Sequence, residues 1–143
     1  MTNPNRPRAV IFLPTKELVE QVGNVAKELS HYLKLSVLTL SNQNRIKYEF
    51  ERLNEGVDLV VTNVSRFERH LQKKTIFSSS LEYIVIDEVD AVLDSGNIET
   101  VAGFSRIVAN EEVIAARKFA CRMFLVSATL NNTTKEFIEG VFG

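Results

Sequence analysis

The sequence predicts an α/β protein: a parallel sheet with helices on both faces. Three observations carry this prediction. Short apolar runs alternate with longer amphipathic stretches along the whole chain. The apolar runs are rich in Val, Ile, Leu and Phe, as strands buried on both faces are. Polar residues fit for chemistry follow four of the runs directly: Pro14-Thr15, Asn63, Asp87-Glu88 and Ser127-Ala128-Thr129. Right-handed crossovers gather the C-terminal ends of parallel strands on one rim, so these four segments are expected to share it.

Taken in order, the first strand is expected over residues 8–13. Thr15 then caps a helix to about Ser30, whose apolar positions Leu18, Val22, Val25, Ala26 and Leu29 recur at three and four residues. A strand over residues 35–40 precedes a helix from about Gln43 to Leu53, stopped before Gly56. The third strand covers residues 57–62 and leads into a helix from Val64 to Gln72. The fourth covers residues 81–86, followed by a short helix from Val89 to Leu93 that ends near Gly96. A longer helical stretch runs from about Ile98 to Glu112, broken before the next strand. The fifth strand covers residues 122–127, and a last helix runs from Asn131 or Asn132 to Glu139, with Gly140 as its stop.

A chain of 143 residues suits a single domain, here taken as residues 1–143. Its hydrophobic content of 45% supports a packed core and argues against disorder. No apolar run approaches the ~20 residues of a membrane span, and the polar start lacks the apolar core of a signal peptide. Cys121 is the only cysteine, which excludes a disulfide framework within the chain and a cysteine-based zinc site. An intracellular setting is the simplest expectation. The formal net charge of −1 gives no overall attraction to nucleic acid. His31 and His70 are far apart and read as surface or half-buried helix residues, not metal ligands.

The run Tyr83-Ile84-Val85-Ile86-Asp87-Glu88-Val89-Asp90 is the most informative one. A buried strand here delivers adjacent carboxylates to the edge where α/β proteins bind ligands. Such a pair can divide the work of nucleotide hydrolysis, one acid holding hydrated Mg²⁺ and the other orienting water. Alone, the run also fits a strand that ends in a solvated acidic turn.

Four segments read together narrow the choice. Pro14-Thr15-Lys16-Glu17-Leu18, Thr62-Asn63-Val64-Ser65-Arg66-Phe67, Asp87-Glu88-Val89-Asp90 and Ser127-Ala128-Thr129 occur in this order on this alternation. The chain thereby resembles the first RecA-like domain of superfamily 2 helicases, most closely the DEAD-box RNA helicases, from Arg8 to about Phe142. The first segment is similar to the family's PTREL motif with Lys16 in the Arg position. The third matches the DEAD box with Val in the Ala slot, and the fourth is an intact SAT motif. The resemblance implies ATP and Mg²⁺ as cofactors, RNA as partner and a second RecA-like domain in the same parent chain. It assigns Asp87 to hydrated Mg²⁺, Glu88 to the attacking water, and Asp90 with Ser127 and Thr129 to coupling. It assigns Pro14, Thr15, Lys16, Thr62 and Arg66 to the RNA backbone.

The second segment departs from the family's TPGR pattern: Thr62 stands, Pro and Gly are gone, and one extra residue precedes Arg66. The family's paired glycines are also missing near Ser41-Asn42-Gln43. Arg66, Arg69, Lys73 and Lys74 form a basic cluster that fits phosphate neutralisation and a solvated helix face equally well.

A phosphate loop ends in Gly-Lys-Ser/Thr, and none of the six glycines here is followed by Lys. The expectation is a partial domain of about five strands whose phosphate-loop strand is absent, cut from a full helicase; a scaffold that has lost ATP handling is the alternative. In the family the SAT strand lies beside the phosphate-loop strand. Residues 123–126 are thus expected to form an exposed apolar edge that invites self-association. A DNA-directed helicase of the same superfamily is a second alternative, against which the PTREL-like segment argues.

Overall fold

The computed structural model describes residues 3–41, 45–94, 98–119 and 121–142. Among these residues five strands, β1 (Ala9–Phe12), β2 (Val37–Leu40), β3 (Leu59–Thr62), β4 (Tyr83–Ile86) and β5 (Arg122–Leu125), form one sheet in the order β2-β3-β1-β4-β5. Every pairing is parallel and in simple register: Phe12 lies level with Thr62 and Ile86, and Ile86 with Leu125. Among the described residues seven helices connect or follow the strands: α1 (Lys16–Leu33), α2 (Ile46–Glu55), α3 (Val64–Gln72), α4 (Val89–Asp94), α5 (Ile98–Val108), α6 (Glu111–Phe119) and α7 (Asn132–Phe142). The parallel α/β architecture predicted from alternation is the one observed.

The two faces of the sheet are filled differently. One face carries Val10, Phe12, Leu38, Leu40, Val60, Ile84 and Ile86, and packs against Leu53 of α2, Phe67 of α3, Val92 of α4, Phe104 and Ile107 of α5 and Val113 of α6. Phe12 is at its centre, meeting Phe67 and Phe104 edge to face at centroid distances of 5.1 and 5.6 Å. Burying one such ring contributes about 1.5–3 kcal/mol. The other face is smaller: Ile11, Val37, Leu59 and Val61 pack under Leu18, Val19, Val22 and Ala26 of α1.

Several element details differ from expectation. Val25 and Leu29 were expected on the buried stripe of α1 but are each 53% exposed, while Val19 and Gly23 are buried. The stripe is rotated because α1 covers only the β2-β3-β1 part of its face. The stretch from Ile98 splits in two at Ala109-Asn110, where the Asn110 side chain accepts from the N–H groups of Glu112 and Val113 and starts α6. Gly140 does not end the last helix, which runs to Phe142. His70 is fully buried, for a reason given below. Gln43, expected to start the second helix, and Gly96, expected to stop the fourth, lie outside the described residues.

Candidate functional site

The strand order divides the C-terminal rim into two halves. The turns after β4 and β5 are neighbours on one side, and those after β1, β3 and β2 follow on the other. The acids and the hydroxyl pair therefore share one half, and the segments expected at the RNA backbone share the other.

On the first half, the backbone is tied across three strands. The Asp87 N–H donates to the Phe12 carbonyl at 3.0 Å, the Val126 N–H to Ile86 at 2.9 Å and the Val89 N–H to Val126 at 3.0 Å. Asp87 Oδ1 accepts from the Glu88 N–H at 2.8 Å. Glu88 turns the chain from strand to helix in the left-handed region, with φ of 53°, a conformation that costs a side-chain-bearing residue about 1–2 kcal/mol.

Asp90 joins the two motifs. Its Oδ2 accepts from the Thr129 hydroxyl at 3.0 Å and from the Thr129 N–H at 3.1 Å, while Oδ1 accepts from the Ala91 N–H at 3.0 Å. The Thr129 hydroxyl is the chief reason that the Asp90 carboxyl titrates below its ordinary value. Desolvation opposes the shift, and the Ala91 N–H, the Ser127 hydroxyl and the Thr129 N–H add to it. Ser127 Oγ itself donates to the Thr129 carbonyl at 2.7 Å, closing the turn. The acid cluster and the hydroxyl pair, about forty residues apart in sequence, are thus in direct contact.

No group of three or more His, Cys, Asp or Glu side chains among the described residues is arranged to hold a metal on its own. The donor chemistry nonetheless fits Mg²⁺, which keeps several waters and takes one or two carboxylates plus substrate phosphates. Asp87 is half-buried at the strand end with Oδ1 accepting from the Glu88 N–H, and its carboxylate would be the group to hold a hydrated cation.

On the second half, Thr15 caps α1 by accepting from the Leu18 N–H at 3.2 Å, and both Thr15 and Lys16 are exposed. Pro14 is half-buried beside them. Asn63 caps α3: its Oδ1 accepts from the Arg66 N–H at 2.9 Å and from the Ser65 hydroxyl at 3.1 Å. Asn63, expected on the rim after the third strand, stands there as an N-cap, the role that Asn just ahead of an apolar-periodic run signals.

Two expected backbone contacts are placed differently. Thr62 is fully buried and its hydroxyl donates to the Asn63 carbonyl at 2.9 Å. Arg66 is only 8% exposed, and its Nε donates to Glu49 Oε1 at 2.9 Å. Arg66 and Arg69 do not share a solvent face; Arg69, Lys73 and Lys74 are exposed, but they occupy the far end of α3, away from the rim.

The fold and this rim define a RecA-like α/β domain with an acid cluster tied to a Ser-Ala-Thr turn. The model of the DEAD/DEAH box helicase family matches residues 1–137, and the chain belongs to that family. Similar proteins include a DEAD-box ATP-dependent RNA helicase of Arabidopsis thaliana, 30% identical over 141 residues. A probable ATP-dependent RNA helicase of Dictyostelium discoideum is 33% identical over 135 residues. The matches cover 99% and 90% of this chain but only 22% and 18% of those proteins. Among solved structures, a yeast DEAD-box splicing factor superposes with a TM-score of 0.82 at 21% identity, over 96% of this chain and 31% of that one. A hypothetical ATP-dependent RNA helicase from Sulfolobus tokodaii gives 0.76 at 23% identity, over 93% and 37%. No described helix is long and apolar enough to cross a membrane.

Proposed function

We propose that this chain is the greater part of the first RecA-like domain of a DEAD-box ATP-dependent RNA helicase, and that in the whole protein it couples ATP hydrolysis to unwinding of RNA duplexes. The observation that carries the reading is the bond from Thr129 to Asp90, two residues beyond the Asp87-Glu88 pair. A rim that only solvated its acids would not need a second strand's hydroxyl to hold one of them.

In this reading Asp87 would hold the hydrated Mg²⁺ of the nucleotide, and Glu88 would orient and deprotonate the attacking water. The metal, when bound, neutralises charge on the transferring phosphoryl group. Asp90 stays ionised through its Thr129 bonds, so a shift of the turn after β5 moves the acid turn with it. That gives nucleotide state a route to the position of α7. Thr15 and Lys16 meet the RNA backbone from the N-terminus of α1, where free N–H groups and a cation favour phosphate.

This chain has no Gly-Lys pair to grip the phosphates, so it is proposed to depend on a phosphate loop and a second RecA-like domain elsewhere in the parent protein. Alone it should hydrolyse little ATP and unwind nothing. The test is RNA-stimulated ATPase activity of the longest form of the protein. Asp87→Asn should abolish Mg²⁺-dependent ATP binding, and Glu88→Gln should leave binding but cut turnover by about 100-fold or more. Loss of neither would favour a non-catalytic scaffold. Equal activity on duplexes without 2′-hydroxyls would point to a DNA-directed enzyme.

A further inference from the structure

Behind the second half of the rim lies a buried charge cluster that the proposed chemistry does not use. Glu49 of α2 is completely buried. Its Oε1 accepts from Arg66 Nε and from His70 Nε2, both at 2.9 Å, and its Oε2 accepts from the Ser41 N–H at 3.1 Å. His70 Nδ1 lies 2.7 Å from the Thr75 hydroxyl, which also reaches the His70 carbonyl at 3.1 Å. The Ser41 hydroxyl continues the chain of bonds to Glu20 on α1. One carboxylate therefore links the segment leaving β2, the first turn of α3 and the loop beyond α3.

A buried ion cluster of this kind is a poor source of net stability, because desolvating its charges offsets most of their attraction. Its distinctive property is geometric. Arg66 and His70 are one helical turn apart on α3 and converge on a single oxygen, which fixes both the rotation of α3 and its distance from α2. Ser41 on the other oxygen fixes the chain as it leaves β2. We propose that the Glu49–Arg66–His70 cluster is a positioning device for the post-β2 and post-β3 segments of the rim, and that Glu49, Arg66 and His70 are positioning residues for RNA backbone binding that touch no RNA. The RNA part rests on the function proposed above; the positioning part does not.

The test replaces the cluster by apolar residues of similar size in this chain, Glu49→Leu with Arg66→Met and His70→Leu, alongside Glu49→Gln alone. Two readouts are taken: amide hydrogen exchange at Arg66 and Phe67, and affinity for single-stranded RNA. Those two amides bond to Asn63 and not to the cluster, so they report the first turn of α3. The Asp87 amide, bonded to Phe12, is the control.

The triple variant should keep its Tm within ~5 °C of the parent, while the Arg66 and Phe67 amides exchange about 10-fold faster and RNA affinity falls by about 10-fold. The Asp87 amide should be unchanged. Glu49→Gln should lower Tm, because it leaves a buried guanidinium without its counter-charge, and loosen the same two amides. Native exchange at Arg66 and Phe67 in a folded variant of either kind overturns the proposal. So does a triple variant that does not fold, since the cluster would then hold the whole structure and not one part of the rim. If the parent chain binds no RNA, the RNA reading fails while the exchange rates still decide the positioning role.

Discussion

At the scale of single residues, Asp90 is held in a state that adds stability and Glu88 in one that costs it, and the site can use both. The Asp90 carboxyl is lowered chiefly by the Thr129 hydroxyl. A depressed folded value means that the tie adds stability above the unfolded pKa of about 3.9, and that this stability is lost as pH falls through the folded value. At neutral pH the tie is fully present. A carbon-detected titration of Asp90 should give a midpoint below the ordinary carboxylate value, and Thr129→Val should move it back up; an unshifted midpoint in the parent chain would refute the bond. Glu88 makes the opposite trade. Its φ of 53° favours glycine, so Glu88→Gly should raise stability by up to ~1 kcal/mol in thermal unfolding. The same change removes the carboxylate, and turnover in the longest form of the protein should fall by about 100-fold or more. A strained glutamate kept at a strand end is the pattern expected where function and not folding selects the residue.

At the scale of elements, close packing of helices against their neighbours depends on two glycines. A Cβ at Gly23 would strike the Thr39 side chain of β2, and one at Gly103 would strike Val64 and Glu68 of α3. Glu68 is itself held by Arg106, at 2.7 and 2.9 Å. Alanine normally improves a helix over glycine by about 1 kcal/mol. Here Gly23→Ala and Gly103→Ala should instead lower stability by about 1–3 kcal/mol each, measured by denaturant unfolding, because the added methyl forces α1 off β2 and α5 off α3. The same contacts explain what was legible in sequence. The five strands and α3 were readable because their apolar runs and the Val64–Gln72 periodicity are strong and local. The rotated stripe of α1 was not, since it is set by which part of the sheet the helix covers; the break at Asn110 rests on a local Asn cap, whose position the long helical periodicity masked. The Asp90–Thr129 contact was anticipated through motif resemblance. The burial of Arg66 and His70 was not: their partner, Glu49, sits in another helix and reads in sequence as one more surface acid.

At the scale of the whole molecule, the sheet is covered unevenly, and this has a consequence for association. Helix α1 lies over the β2-β3-β1 part of its face, while the β4-β5 part of that face carries Tyr83, Phe124 and Val126, exposed by 43, 48 and 49%. Tyr83 and Phe124 stack at 6.4 Å with their rings 24° apart, extending an apolar surface outward. Strand β5 pairs only with β4 among the described residues, so the same surface borders an edge strand. Beyond Arg122 at its start, β5 presents an apolar edge without proline or bulge, the feature that folded proteins commonly guard against. The chain should therefore associate with a second copy through β5 at high concentration, and sedimentation should show a molecular weight that rises with loading. Phe124→Lys with Val126→Lys places two charges on that surface without touching the Phe12 core, and should return the chain to a monomer with little change in Tm. A strictly monomeric parent chain at the highest loading, or an oligomer indifferent to both lysines, would place the association surface elsewhere.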